Sequence, residues 1–155
     1  MTDLPYGRGG SPLQNLILRG HKDTQVSAIR ISEEIDAGPI YLKRPLSLEG
    51  SAEEIFQRLS SLVFSMIADI VSSQPNAVPQ TGEPVFFNRR TPDQSLMPPN
   101  GSAQEIYDHI RMLDAETYPA AFWDVGDWRL EFRQAKQVDG GVEARVLIRP
   151  LNRKE

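Results

Sequence analysis

Between residues 51 and 73, apolar side chains recur at Ile55, Leu59, Leu62, Val63, Met66, Ile67, Ile70 and Val71, at intervals of mostly three and four. That period gathers them on one face of a helix, and Ser51 with Glu54 has the capping-box spacing that starts one. Ser102 with Glu105 repeats that pattern before a shorter helix carrying Ile106, Ile110 and Leu113. A third helix is expected after Ser11-Pro12, a serine N-cap followed by proline at the first helical position, with Gly20 closing it. Elsewhere the period falls to two. "TQVSAIRIS" sets Ser27, Ile29 and Ile31 against Val26, Ala28 and Arg30, and predicts a strand buried on both faces for much of its length. Gly38-Pro39 breaks it, and "IYLKRPLSL" resumes extended structure, with Pro45 pointing to an edge or a bulge. Residues 74–101 read as a long loop interrupted by a short strand, "VFFN". The last third holds "AAFWDV", "WRLEFRQAKQV" and "VEARVLIRP", separated by turn signals at Gly126-Asp127 and Asp139-Gly140-Gly141, and predicts a small antiparallel unit.

Helix and strand therefore alternate first, and a helix followed by consecutive strands comes after. The expected fold class is α/β, with one part spanning residues 1–98 and a small β-rich subdomain over 99–155. Composition agrees with a folded chain: of 155 residues, 39% are hydrophobic and 25% charged. No uninterrupted apolar run approaches the length of a bilayer span, and the first twenty residues lack a signal-peptide layout, so a cytoplasmic location without a membrane partner is expected. The absence of cysteine excludes disulfide and thiolate chemistry. His21 and His109 lie far apart in no ligand-spaced pattern, so no metal is expected. A net charge of −4, with no dense basic stretch, argues against a nucleic-acid partner.

Four stretches could carry chemistry. "GRGGSP" is a glycine-rich loop running into a helix N-terminus, a place that can receive an anion, but its spacing reads first as a tight turn. "EEIDAGP" sets Glu33, Glu34 and Asp36 at the end of a strand, where α/β folds hold active-site groups; its plainer reading is a solvated acidic bend. Arg89-Arg90 could clamp a phosphate or carboxylate and are candidate substrate-binding residues, against a default of surface charge. Phe122, Trp123, Trp128 and Phe132 could stack on a base or a sugar, but in so small a β unit they are expected to form its core. Both histidines are expected at the surface.

Taken together, Leu4-Pro5, Arg8-Gly9, Pro12, Gly20, Thr24 and Asp36-Ala37-Gly38-Pro39 resemble, in order and interval, the pattern of the 10-formyltetrahydrofolate-dependent formyltransferase family. That family includes enzymes acting on nucleotide-linked amino sugars and on methionyl-tRNA. "NRRTPDQS" and "YPAAFWDVGDWRLEF" resemble the family's link to, and entry into, a small C-terminal subdomain. The resemblance implies the C-terminal half of a Rossmann-like domain, 10-formyltetrahydrofolate as formyl donor, Asp36 as a catalytic residue and Arg8, Gly9 and Gly10 as an active-site loop. It further implies that Glu34, Ile35, Asp36 and Gly38 border the folate.

The family attributes catalysis to an Asn and a His of an Asn-x-His segment together with this Asp, and alignment places that His immediately before Met1. The implied role of Asp36 is to hold the imidazole. A carboxylate donates no hydrogen bond, so Asp36 cannot replace the oxyanion donors, and the chain by itself is expected to be inactive. The arginine-rich link and the acidic balance favour a nucleotide-sugar amine as substrate, with tRNA as the alternative. A non-catalytic interaction module, a homodimer covering exposed apolar surface, and a split enzyme completed by an N-terminal piece are the other readings.

Overall fold

A computed structural model describes residues 1–116 and 118–151. The chain forms two compact units, one of residues 1–49 and 54–90, the other of residues 50–53 and 91–155.

In the first unit, strand β1 (Tyr6–Gly9) leads into helix α1 (Pro12–Leu18), and β2 (Asp23–Ile29) pairs antiparallel with β3 (Ile40–Ser47). Helix α2 (Ala52–Ser73) and strand β4 (Val85–Phe87) follow, with β4 parallel to β1. The core is built from Leu13, Leu16 and Ile17 of α1, spaced as a helical stripe, with Leu4, Val26, Leu46, Leu48 and Phe87, all buried. Sequence patterning locates these elements closely but misreads three details. "YGRG" is a strand rather than a loop, because pairing with Val85–Phe87 extends a stretch that has no periodicity of its own. Ser11 does not cap α1 with its side chain: its backbone is left-handed, at φ 47°. Its hydroxyl instead accepts the Arg90 N–H at 3.0 Å. β2 is buried only at Thr24 and Val26, and Ile31 lies beyond its end at 95% exposure.

α2 is long and apolar enough to cross a bilayer by length and composition alone, which the broken apolar run did not suggest. Its two charged side chains after the first turn tie it to the β2–β3 sheet instead. Arg58 donates to the carbonyls of Ser47 and Glu49, and Asp69 accepts from Arg44 at 2.9 Å.

In the second unit, a 3-10 turn (Pro92–Ser95) and helix α3 (Ala103–Arg111) precede a three-stranded antiparallel sheet. Its strands are β5 (Ala121–Val125), β6 (Trp128–Val138) and β7 (Gly141–Pro150), in that order. The expected capping box forms at α3: the Ser102 hydroxyl accepts the Glu105 N–H while the Glu105 carboxylate accepts the Ser102 N–H at 2.7 Å. His109 is buried rather than at the surface, because it lies beside Ile110 and Arg111 on the helix's inner side. The register places Ala121, Trp123, Val125, Trp128, Leu130, Phe132, Val146 and Ile148 on one face of the sheet. Trp123 and Phe132 meet edge to face at 5.3 Å, and the Trp123 indole N–H donates to the Met97 carbonyl. Trp128 is half exposed, so the aromatic group is only partly core. The other face carries Arg129, whose guanidinium makes two hydrogen bonds to Asp124, at 2.8 and 2.9 Å, and stacks over Phe122.

Two outcomes follow for stability. Leu16→Ala should cost about 2–5 kcal/mol in denaturant unfolding, while Ile31→Ala should be nearly neutral. The Arg129 hydrogen bond holds the Asp124 carboxyl below its ordinary value. The stability this pair supplies is therefore present above the ordinary carboxylate pKa of 3.8 and lost as pH falls through the lowered one. Asp124→Asn should flatten the acid limb of the stability–pH curve, by no more than about 1 kcal/mol because the pair is partly solvated.

Candidate active site

Arg8, Gly9, Glu34, Asp36 and Gly38 come together at one corner, beside the end of β1 where it pairs with β4. Gly9 has φ +105°, and a Cβ there would lie 2.5 Å from the Phe87 carbonyl oxygen. A Cβ on Gly10 would meet Cα of Arg89 at 2.6 Å. The glycines therefore serve close backbone approach. Their N–H groups are also engaged: Gly9 donates to the Asp36 carboxylate at 2.9 Å and Gly10 to the Phe87 carbonyl at 3.0 Å. That leaves no phosphate cradle, in keeping with the tight-turn reading. Asn15 closes the loop from below, its amide donating to the carbonyls of Gly10, Ser11 and Asn88.

Asp36 sits in a left-handed conformation, φ 56°, in the bend between β2 and β3. Gly38 follows because its Cβ would fall 1.7 Å from the Arg30 carbonyl oxygen, and the Arg30 N–H donates to the Pro39 carbonyl at 2.9 Å. The D-A-G-P motif thus folds back over the end of β2 and delivers the Asp36 carboxylate to Gly9.

Sequence reading missed the residue that joins these pieces. The Gln80 amide nitrogen donates to the carbonyls of Asp36 and Gly38, both at 2.8 Å. Its oxygen accepts from Arg8 at 2.8 and 3.3 Å. Arg8 is itself buried and reaches the exposed Glu34 carboxylate at 3.4 Å. Arg8 is thereby a strut within the site. Nothing in the sequence around Gln80, a Pro- and Gly-rich loop, singles it out.

Ile35 projects into solvent at 74% exposure, Arg89 is exposed, and Arg90 is tied to Ser11 through its backbone. His21 lies apart from this corner, its ring hydrogen-bonded to the Tyr6 hydroxyl at 2.9 Å and half-buried. Burial of the Met1 amino group lowers its pKa, and the Asp36 carboxylate opposes that shift. The first backbone nitrogen of the chain therefore lies within electrostatic reach of Asp36. Among the described residues no cluster of His, Asp and Glu is placed to hold a metal ion.

Residues 92–149 match the family model described as methionyl-tRNA formyltransferase, C-terminal domain. A solved methionyl-tRNA formyltransferase from Clostridium thermocellum superposes with a TM-score of 0.95 at 50% identity, covering 97% of this chain and 66% of that one. The chain belongs to the formyltransferase family. Among curated formyltransferases, the methionyl-tRNA enzyme of Thermodesulfovibrio yellowstonii is 27% identical over 96% of this chain and 50% of its own length. The chain thus spans about half the length of such relatives. An N-formyltransferase from Helicobacter canadensis, solved with folinic acid and dTDP-3-aminofucose, shares the fold at a TM-score of 0.61 and 16% identity, covering 93% of this chain and 63% of that one. Relatives named for tRNA thus match more closely than the sugar enzyme, against the preference drawn from charge and the arginine-rich link. The stretch from Trp128 to Pro150 carries Arg129, Arg133, Lys136, Arg145 and Arg149 against Glu131, Asp139 and Glu143, a local basic excess.

Gln80→Glu tests the clasp. The carboxylate still accepts from Arg8 but cannot donate to the two carbonyls, so the variant should lose about 1–3 kcal/mol. Amide hydrogen exchange should rise over residues 33–39 before the β2–β3 ladder opens.

Proposed function

We propose that this chain is the C-terminal part of a methionyl-tRNA formyltransferase, which moves a formyl group from 10-formyltetrahydrofolate to the amino group of methionine carried on tRNA. The observation that carries this reading is the 50% identity, over nearly the whole chain, to the Clostridium thermocellum protein of that name. Residues 1–98 would then belong to the catalytic domain and 99–155 to the C-terminal subdomain, in a cytoplasmic enzyme. Solved relatives with folinic acid or tetrahydrofolic acid bound support a folate donor.

In this reading Asp36 works as a positioning residue. Its carboxylate is aimed by the Gly9 N–H, and its backbone is held by Gln80. The family's histidine would precede Met1, whose nitrogen lies within electrostatic reach of the Asp36 carboxylate. A carboxylate there orients the imidazole and favours its protonated form, which then donates to the oxyanion that develops as the amine attacks the formyl carbon. Glu34, Gly38 and Ile35 would border the folate, and Arg89 with Arg90 would meet the acceptor's phosphates.

A second reading keeps the same chemistry with a nucleotide-linked amino sugar as acceptor, supported by the sugar-enzyme neighbours that share the fold. Assaying the protein with its catalytic Asn-x-His segment on methionyl-tRNA and on nucleotide-linked amino sugars separates the two. Formylation of methionyl-tRNA alone is the expected result; turnover of sugars alone would replace the proposal. In that protein, Asp36→Asn should lower kcat by about 10²- to 10⁴-fold.

A further inference from the structure

Residues 2–4 lie in no strand, yet two side chains of the β2–β3 ribbon hold their backbone. Ser27 and Lys43 stand directly opposite one another in that ladder, and cross-strand neighbours project from the same face. The Ser27 hydroxyl donates to the Thr2 carbonyl at 2.8 Å and accepts the Leu4 N–H at 3.3 Å. The Lys43 ammonium donates to the Leu4 carbonyl at 2.6 Å and to the Asp3 carboxylate at 2.5 Å. A hydroxyl donates and accepts at once, whereas an ammonium only donates, so each is matched to the groups it meets. Together they do for residues 2–4 what a neighbouring strand does through its backbone.

This grip is continuous with the corner that holds Asp36. Thr2 is buried, its hydroxyl donates to the Gly7 carbonyl at 3.2 Å, and a Cβ on Gly7 would lie 2.6 Å from its methyl group. Two residues further on, Gly9 donates to the Asp36 carboxylate. β1 is therefore a common ruler, its first half locating Thr2 and its last residue locating Asp36. We propose that Ser27, assisted by Lys43, is a positioning residue for formyl transfer. It fixes the backbone that follows the family's histidine and so sets the alignment of the imidazole with Asp36. The inference rests on the formyltransferase reading above and adds to it a residue outside the Arg-Gly and Asp-x-Gly-Pro motifs. Both side-chain hydrogen bonds of Ser27 go to residues 2–4 rather than to Asp36, so its effect on rate passes through that backbone. A clip that served stability alone would reduce the folded fraction and leave the rate per folded molecule unchanged.

Kinetics per folded molecule, in the protein with its catalytic Asn-x-His segment, test this. Ser27→Ala should lower kcat about 10- to 100-fold, the scale on which a small displacement of a reacting group is felt. Ser27→Thr keeps the hydroxyl on a side chain suited to a strand and should recover most of the rate. Lys43→Met keeps the apolar stem, removes the ammonium and should also lower kcat; it carries the test if Ser27→Ala fails to fold. Added to Asp36→Asn, Ser27→Ala should cost less than about twofold more, because the alignment it protects is already lost. Amide exchange at Leu4 should rise in Ser27→Ala while the β2–β3 ladder stays protected. Native kcat in both Ser27→Ala and Lys43→Met overturns the inference alone. So does a loss that Ser27→Thr does not recover, or one that multiplies in full with Asp36→Asn. Absence of formyl transfer by the native protein to methionyl-tRNA and to amino sugars alike overturns the formyltransferase reading, and the inference with it.

Discussion

One side-chain amide organises the corner where Arg8, Gly9 and Asp36 meet. Gln80 accepts from the Arg8 guanidinium with its oxygen and donates to the Asp36 and Gly38 carbonyls with its nitrogen. Only an amide can do both at this length: a carboxylate has no donor, and an amine has no acceptor. Through it, β1, the bend after β2 and the loop before β4 become one assembly. The Asp36 carboxylate is thereby directed at Gly9, and the glycines that look permissive in sequence are in fact required by backbone contact with Phe87 and Arg89.

The second unit rests on a different constraint, the strict alternation of a three-stranded sheet. Charged side chains collect on the face of Arg129, Glu131 and Arg149, and apolar ones on the face of Trp128, Phe132 and Ile148. The bulge between Arg133 and Lys136, where Gln134 takes φ 55°, leaves this alternation intact along β7. The Asp114 carboxylate stabilises it by accepting the Gln134 N–H at 2.7 Å. An orderly strand at the end of the sheet order results.

The two units present exposed apolar surface of different kinds. On α2 it is a helical face, including Phe64, Ile67 and Val71; on β7 it is a strand edge carrying directional hydrogen-bonding groups. A helical face can be covered by any apolar layer of suitable shape, such as further elements of a Rossmann-like sheet.

Most elements were legible because their causes are local. The capping box at Ser102, the stripe along Ala52–Ser73 and the turns at Gly126 and Gly140 follow from periodicity and backbone preference, and the Arg-Gly and Asp-x-Gly-Pro spacing pointed to the family before any geometry. What the sequence could not carry were partners distant along the chain. Ser11 resembles a cap but accepts from Arg90, His109 resembles a surface residue but is buried, and Gln80 resembles a loop residue but holds the site together. Propensity and pattern act over one or two turns of chain, whereas these hydrogen bonds span separations of some forty to eighty residues. The sequence by itself therefore determined most of the elements and the chemical lineage. Only the tertiary structure decided which polar groups meet, because a hydrogen bond needs its donor and acceptor brought to within about 3 Å by everything else that packs.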